Sequence, residues 1–458
     1  MEAIVRPEEM AAIDAAAADP VEVLIGRAGG AVAREAIRML GGAYGRRVVV
    51  VAGKGNNGAD GREAARRLMA RGVRCTVFGA GDAPSQLPPA DLVIDAAYGT
   101  GFRGTYAPPS LASADTPVLA VDIPSGVDGL TGEASGSPWR ATRTVTFAAW
   151  KPGLLLADGA GLAGDVVVAD IGLDVSSARA HLVDADEVAS WIPDRPRDSH
   201  KWRAATWIVA GSPGMAGAAH LATRAAQRGG AGYVRLSTPG GGPDAGGPDE
   251  AVRVPLPSTG WASAVVDGGI ERFASLAVGP GLGRAEADAE QVRDLVASTS
   301  LAIVVDGDAL HALGASAGLV VGKRGADAGP VVLTPHDGEF EALDGARPGA
   351  DRFAAVRALA SATGSVVLLK GPTTLVAAPG GHVLVTATGD ARLATAGSGD
   401  VLTGLVAALL AQGLDGARAA AAAAFLHGRA GALACGRGLV AGDLVDHLPA
   451  AFAELSGG

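Results

Sequence analysis

Short, nearly unbroken runs of Val, Ile and Ala, each followed by a helix-spaced stretch, recur along this chain of 458 residues. Strands are expected at 47–52, 74–79, 91–97, 117–123, 144–149 and 166–171. A second series is expected at 206–210, 233–238, 275–279, 301–306, 330–334, 365–370 and 374–378, with 382–387 as a hairpin partner. Runs without polar alternation imply strands buried on both faces, as in a parallel sheet covered by helices. Helices are expected at 8–18, 29–40, 59–71 and 400–412. The pattern is α/β, written twice.

Between the two series lies Val183 to His200, polar, charged and broken by Pro193 and Pro196, which makes it the first boundary candidate. The glycine- and proline-rich stretch 239–248 reads instead as a surface loop, because too few residues precede it to form a domain. Two domains are expected, near 1–190 and 195–458. An apolar content of 48% is ample for two cores and excludes a disordered chain. The net charge of −10 offers no basic field to nucleic acid or to an anionic membrane. Cys75 and Cys435 lie far apart without a CxxC partner, which argues against a disulfide scaffold or structural zinc site. The acidic N-terminus lacks the order of a signal peptide, and no helix-compatible apolar run reaches the ~18 residues of a membrane span. A cytoplasmic protein acting on small molecules is expected, with Ala-rich helices that could pack in a homo-oligomer.

Glycine supplies 68 residues, about twice the usual share of roughly 7%. Many follow an expected strand directly, where open α/β sheets form their ligand crevice. Any one such turn is as readily explained by turn geometry, so combinations must decide. Gly53-Lys54-Gly55-Asn56-Asn57-Gly58 contains G-x-G-x-x-G, the fingerprint of a dinucleotide turn. The ribose-binding acid such a site needs is poorly supplied by Asp82, and no Gly-Lys-Ser/Thr closes a phosphate loop. Paired amides suit a hard monovalent cation beside a phosphate-bearing ligand, although Asn in a left-handed turn is an equally ordinary reading. Asp95 and Asp122 close two further strands, followed by Gly99-Thr100-Gly101-Phe102-Arg103-Gly104-Thr105 and by Ile123-Pro124-Ser125-Gly126. Two carboxylates, an amide and a hydroxyl converging on one edge suffice for proton transfer and an oxygen-lined cation site.

The set G-x-G-N-N-G-x-D-G, D-A-x-x-G-x-G and D-I-P-S-G resembles the NAD(P)H-hydrate epimerase family. The resemblance implies a Rossmann-like three-layer α/β/α domain that interconverts R and S hydrated NADH or NADPH (NADHX, NADPHX). It implies a potassium ion (K+) held by Asn57, Asp95 and Ser125. Substrate contacts are implied at Asn56, Asn57, Gly58, Ala59 and Asp60 and along Gly99 to Thr105, that is Gly99, Thr100, Gly101, Phe102, Arg103, Gly104 and Thr105. Asp122 takes the acid/base role. The family usually carries a second glycine where this chain has Ala59, whose methyl would crowd backbone approach to a ligand.

In the second half, Gly397-Ser398-Gly399-Asp400 opens the helix expected at 400–412. Glycines before a helix leave outward NH groups that favour an anion, and an acid at the first turn can take a proton from a hydroxyl attacking a phosphate. Alone, the string is equally a helix cap, His336 a structural histidine and Lys370 a solvated charge. Together with G-S-x-x-x-x-G-A at 211–218, Gly279-Pro280-Gly281-Leu282-Gly283, T-P-H-x-G-E at 334–339 and Lys370-Gly371-Pro372-Thr373-Thr374, they resemble the ribokinase-like superfamily and, within it, the ADP-dependent NAD(P)H-hydrate dehydratases. The resemblance implies Mg2+ and ADP, with ADP phosphates at Lys370, Gly371, Pro372, Thr373 and Thr374 and AMP near Gly399. It implies hydrated-nicotinamide contacts at Ala218, Gly283 and His336, and Asp400 as base. Gly307 stands where the family has alanine.

The order of the two halves resembles that of the bifunctional NAD(P)H-hydrate repair enzymes. A vitamin or sugar kinase with an N-terminal regulatory domain would release a stable phosphorylated product. A sensor that binds NAD(P)H without chemistry would lack the acids, whereas Asp95, Asp122 and Asp400 are all present.

Overall fold

A computed structural model describes residues 1–241, 246–434 and 436–455, so part of the 239–248 loop and Cys435 lie outside the described residues. The chain divides into two compact units, Glu2–Ala180 and His181–Gly458.

In the first unit, β1 (Glu2–Ile4) bridges to Trp150. The following β2 (Arg47–Ala52), β3 (Arg74–Gly79), β4 (Leu92–Ala96), β5 (Val118–Val121), β6 (Arg143–Phe147) and β7 (Asp165–Ala169) form one sheet in the order β3-β2-β4-β5-β6-β7, parallel throughout. The four valines of β2 show why. Val48 and Val50 face helices Val21–Leu40 and Asn56–Met69, packing with Val32, Ala36, Ala64 and Leu68. Val49 and Val51 face the other side, where Leu87, Tyr106 and Trp139 cover the sheet. With no strand face left to water, no polar alternation is needed. The order reverses between β2 and β4, which makes their carboxyl ends the crevice where ligands bind in such sheets.

The second unit contains β8 (Ala180–Leu182), β9 (Ala205–Val209), β10 (Tyr233–Ser237), β11 (Val252–Arg253), β12 (Ser275–Val278), β13 (Ala302–Val305), β14 (Val331–Leu333), β15 (Val366–Leu369), β16 (Thr374–Ala377) and β17 (Val383–Thr386). Their order runs β8-β17-β16-β15-β14-β13-β12-β9-β10-β11. Pairing is parallel from β11 to β15, and β16 and β17 form the expected antiparallel hairpin. The polar stretch 183–200 is part of this unit. Asp184 caps helix Ala185–Trp191, accepting the Glu187 amide at 2.8 Å, and Val183 and Val188 enter the core. Its charges sit on the outer face and mask the helix in the sequence.

Helix Ser398–Ala411 is buried from Val401 to Ala411, as expected of a helix apolar on all sides. The alanines at 419–424 of helix Gly416–Leu433 also lie inside the core. The first of these helices packs on Ala216–Arg228 so closely that a Cβ on Gly404 would overlap the Ala222 carbonyl. Gly404→Ala should cost about 1–3 kcal/mol through overpacking. A thermal scan should show the second unit melting lower by roughly 2–4 °C for each kcal/mol lost; an unchanged midpoint would contradict this packing.

Candidate active sites

The first cavity, about 1540 Å³, opens at the carboxyl ends of β2, β3, β4 and β5. Its floor depends on one close approach: a Cβ on Gly53 would collide with the Ala97 carbonyl, so the loops after β2 and β4 can meet only over a glycine. Asn56, Asn57, Asp60, Gly99, Thr100, Gly101, Phe102, Arg103 and Asp122 line the cavity, whereas Gly58, Ala59, Gly104 and Thr105 do not. The Ala59 methyl therefore stands on the helix Asn56–Met69, away from the lining.

Beside this crevice, Asp95 is 1% exposed. Its carboxylate accepts the Ser125 amide at 2.9 Å and the Ser125 hydroxyl at 2.6 Å. Burial pushes its pKa up, opposed only by hydrogen bonds from Ser125 and the Ala97 amide. No cation offsets its charge among the described residues. Asn57 buries both its Oδ1 and Nδ2 without a hydrogen-bond partner. The Asp95 carboxylate without a counter-charge, the Ser125 hydroxyl on it and the unpartnered Asn57 amide on the loop of the neighbouring strand are oxygen donors of the kind a hard monovalent cation takes.

Asp122 holds a left-handed backbone, φ 67°, a conformation a non-glycine residue seldom adopts. Its carboxylate pairs with the buried Lys151 ammonium at 2.8 Å and accepts the Thr146 hydroxyl at 3.2 Å. Lys151 is further held by Thr146 Oγ1 at 2.9 Å and the Phe147 carbonyl at 2.8 Å. Nothing in the local sequence singles out Lys151; only the fold brings it to Asp122. Asp60, 7% exposed, is pushed up to about 8 by burial first and then by Asp122 and Asp14.

The second cavity, about 510 Å³, is lined by Asp306, His336, Glu339, Lys370, Gly371, Pro372, Thr374, Gly399 and Asp400 together with His427. Thr373 is buried outside this lining; Ala218, in the first turn of helix Ala216–Arg228 after the β9 loop, and Gly283, on the loop after β12, are also outside it. There Ser212 Oγ donates to the Gly281 carbonyl at 2.8 Å, and the Gly283 amide donates to Asp308 at 2.9 Å. Those two loops flank the point where this sheet reverses its strand order.

At the centre of the second cavity, Lys370 Nζ pairs with Asp306 at 2.8 Å and with Glu339 at 3.2 Å. The hydroxyls of Thr334 and Thr403 each donate to Asp306 at 2.7 Å. Burial alone would raise the Asp306 pKa, but the Lys370 ammonium and these hydrogen bonds hold it below the ordinary carboxylate range. Asp400, in the first turn of helix Ser398–Ala411, is pushed up to about 7 by burial and then by the Asp306 charge, against the pull of Lys370. His427 is buried down to about 4 and so stays neutral, its Nε2 3.0 Å from the Ser398 carbonyl. It steadies the turn before Asp400, a role that no spacing in the sequence discloses. Lys370→Met would strand two buried carboxylates, and chemical denaturation should show a loss of about 3–5 kcal/mol. A loss below ~1 kcal/mol, the worth of an exposed pair, would contradict the burial.

Residues 206–451 match the NAD(P)H-hydrate dehydratase family, and residues 21–87 and 79–153 match the N-terminal family of YjeF-related proteins. The chain is 38% identical to a bifunctional NAD(P)H-hydrate repair enzyme of Moorella thermoacetica, over 88% of this chain and 87% of that protein. It is 39% identical to one of Mycobacterium tuberculosis, over 85% and 84%. The second unit resembles an ADP/ATP-dependent NAD(P)H-hydrate dehydratase of Bacillus subtilis co-crystallized with ATP and Mg2+. That match has a TM-score of 0.51 and 29% identity, covering 59% of this chain and 97% of the other.

Proposed function

The chain belongs to the family of bifunctional NAD(P)H-hydrate repair enzymes, and on that premise we propose how its two units divide the work. The enzyme epimerises R and S hydrated NAD(P)H and dehydrates the S form to NAD(P)H while ADP becomes AMP and phosphate. The first unit carries the epimerase and the second the dehydratase, a division supported by the separate family matches.

In the first unit Asp122, fixed by Lys151, serves as the acid/base at the hydrated nicotinamide carbon. Asn57, Asp95 and Ser125 hold potassium, supported by the orphaned Asn57 amide and the uncompensated Asp95 carboxylate. When bound, the ion supplies positive charge near the substrate's phosphates. Gly99 to Arg103 offer backbone to the same ligand. Phe102 packs at a tilt against Tyr98, ring centroids 4.3 Å apart.

In the second unit the observation that carries the reading is Asp400, an acid near neutrality at the N-terminus of a helix with Gly399 before it. Asp400 takes the proton of the C6 hydroxyl as that oxygen attacks the β-phosphorus of ADP and AMP departs. Loss of phosphate from C6 and of a proton from C5 then restores the ring double bond. The backbone of Gly371 and Pro372, beside Thr374, contacts the nucleotide phosphates, and the helix N-terminus favours the anion. Mg2+ accompanies the nucleotide, held chiefly by its phosphates as is usual for this ion. The cytoplasm is the proposed compartment; no helix among the described residues is long and apolar enough to cross a membrane. A homo-oligomer is the proposed assembly, supported by exposed apolar side chains such as Leu319 and Val440.

Two measurements test these assignments. Asp400→Asn should abolish dehydration, lowering kcat at least ~100-fold, while ADP affinity by calorimetry stays within about threefold. Because the base form of Asp400 is lost as pH falls through about 7, wild-type dehydration should rise from pH 6 to pH 8 and then level. Full turnover by the variant, or a flat profile over that range, would refute the base. For the first unit, Asn57→Ala should weaken the potassium dependence of epimerisation by about tenfold or more; an unchanged dependence would remove Asn57 from the cation site.

A further inference from the structure

Asp122 has a counterpart in the same cavity. Asp60 projects from the helix after β2, and Asp122 stands in the turn after β5. Between them in the sheet lies β4, with its glycine loop. Gly99 of that loop is bare backbone wedged between the two sides: a Cβ there would sit 3.4 Å from Asp122 Oδ2 and 3.5 Å from Asn57 Cβ. Both acids line the same cavity. Their environments differ sharply. Asp122 has Lys151 and Thr146, whereas the Asp60 carboxyl has neither hydrogen bond nor ion pair among the described residues.

The groups facing Asp60 explain the contrast. Asp14 comes from helix Pro7–Ala15, Asp122 and Lys151 from the turns after β5 and β6, and Asp19, paired with Arg27, lies on the cavity rim. On its own helix, Arg62 turns back to the Gly53 carbonyl at 2.8 Å, and Glu63 is occupied by Arg66 and Arg67. Lys54 and Arg103 also line the cavity, Arg103 donating to the Phe102 carbonyl at 2.7 Å, and neither pairs with Asp60 among the described residues. Burial beside two other carboxylates keeps its proton on, whereas Asp122 has a dedicated ammonium. Two acids in one cavity, one without a counter-charge and one paired, form an acid/base couple.

We propose that epimerisation is a two-acid inversion in which Asp60 is the catalytic proton donor and Asp122 the acceptor. This rests on the assignment of Asp122 made above. The Asp60 carboxyl gives its proton to the C6 hydroxyl. The C6–O bond breaks and its electron pair leaves with the oxygen as water, while the ring-nitrogen lone pair closes a C=N bond. A second water then adds through oxygen to the other face of C6, the C=N pair returns to nitrogen, and the proton released goes to the Asp122 carboxylate. Atoms balance: one water leaves, one enters, and the proton has moved from Asp60 to Asp122. The protein is then set for the opposite epimer or is reset by exchange with solvent.

The test uses the full-length enzyme with R hydrated NADH in water enriched in oxygen-18. The expected result is one solvent oxygen gained per inversion at early times, read by mass spectrometry. Inversion with the original oxygen retained would overturn the proposal, because it requires opening at C6–N instead. The wild-type rate should fall as pH rises through about 8, where Asp60 loses its proton. Asp60→Asn should lower kcat ~100-fold or more and abolish that fall, and Asp60→Glu should restore part of the rate. If Asp122→Asn loses epimerisation while Asp60→Asn keeps it with the same pH profile, the Asp60 role alone fails. If Asp122→Asn keeps full activity, the underlying assignment of Asp122 fails as well.

Discussion

One buried lysine at the carboxyl edge of each sheet sets the charge of its cavity. Lys151 is spent on Asp122, and Lys370 on Asp306 and Glu339. Each pair takes a carboxylate out of water at a cost that only close, hydrogen-bonded geometry can offset. The hydroxyls of Thr146, Thr334 and Thr403 supply that geometry. With the lysine committed, an acid that no arginine reaches faces fixed negative charge without a partner, whereas Asp19 keeps Arg27 and Asp390 keeps Arg392. Asp60 in one unit and Asp400 in the other are the unpartnered acids, lifted to about 8 and about 7. The same electrostatic device thus produces a proton donor in one cavity and a base in the other, because the two acids meet different substrates.

The sheets supply the second constraint, which is closeness. In the first unit the crevice lies where strand order reverses between β2 and β4, and Gly53 lets the two loops touch. In the second, the reversal point carries the 211–215 loop with the helix start behind it and the 279–283 loop, while Asp306, Glu339 and Lys370 gather farther along the sheet, after β13, β14 and β15. Ala218 and Gly283, expected to meet the nicotinamide, and Gly371, Pro372 and Thr374, proposed to meet the phosphates, therefore belong to two regions of one sheet edge. A dinucleotide-sized ligand with a separate phosphate donor calls for such an extended edge.

Much of this was legible in the residues, for particular reasons. Unbroken valine runs such as 48–51 and 331–332 can only be strands buried on both faces, and they appear where expected. β8 and β11 escaped notice because three and two residues leave no run to read. Helix Ala185–Trp191 was hidden by the charges on its outer face. Asp95 and Asp122 at strand ends and Asp400 in the first turn of a helix were visible, since glycine-containing turns lie within a few residues of each. Lys151 and His427 were not, because Asp122 and Ser398, which give them their roles, reach them only through the fold. Asp60 was visible as a loop acid, but its protonation depends on Asp14 and Asp122 arriving from other elements.

One chain thus holds two sites that act in series on the same substrate. The most direct measurement supplies a mixture of R and S hydrated NADH with Mg2+, potassium and ADP and follows absorbance at the NADH band. Full recovery of NADH, in a fast phase for the S form and a slower one for the R form, is the predicted result. Recovery of the S fraction alone would contradict a working first site, and no recovery would contradict the account of both.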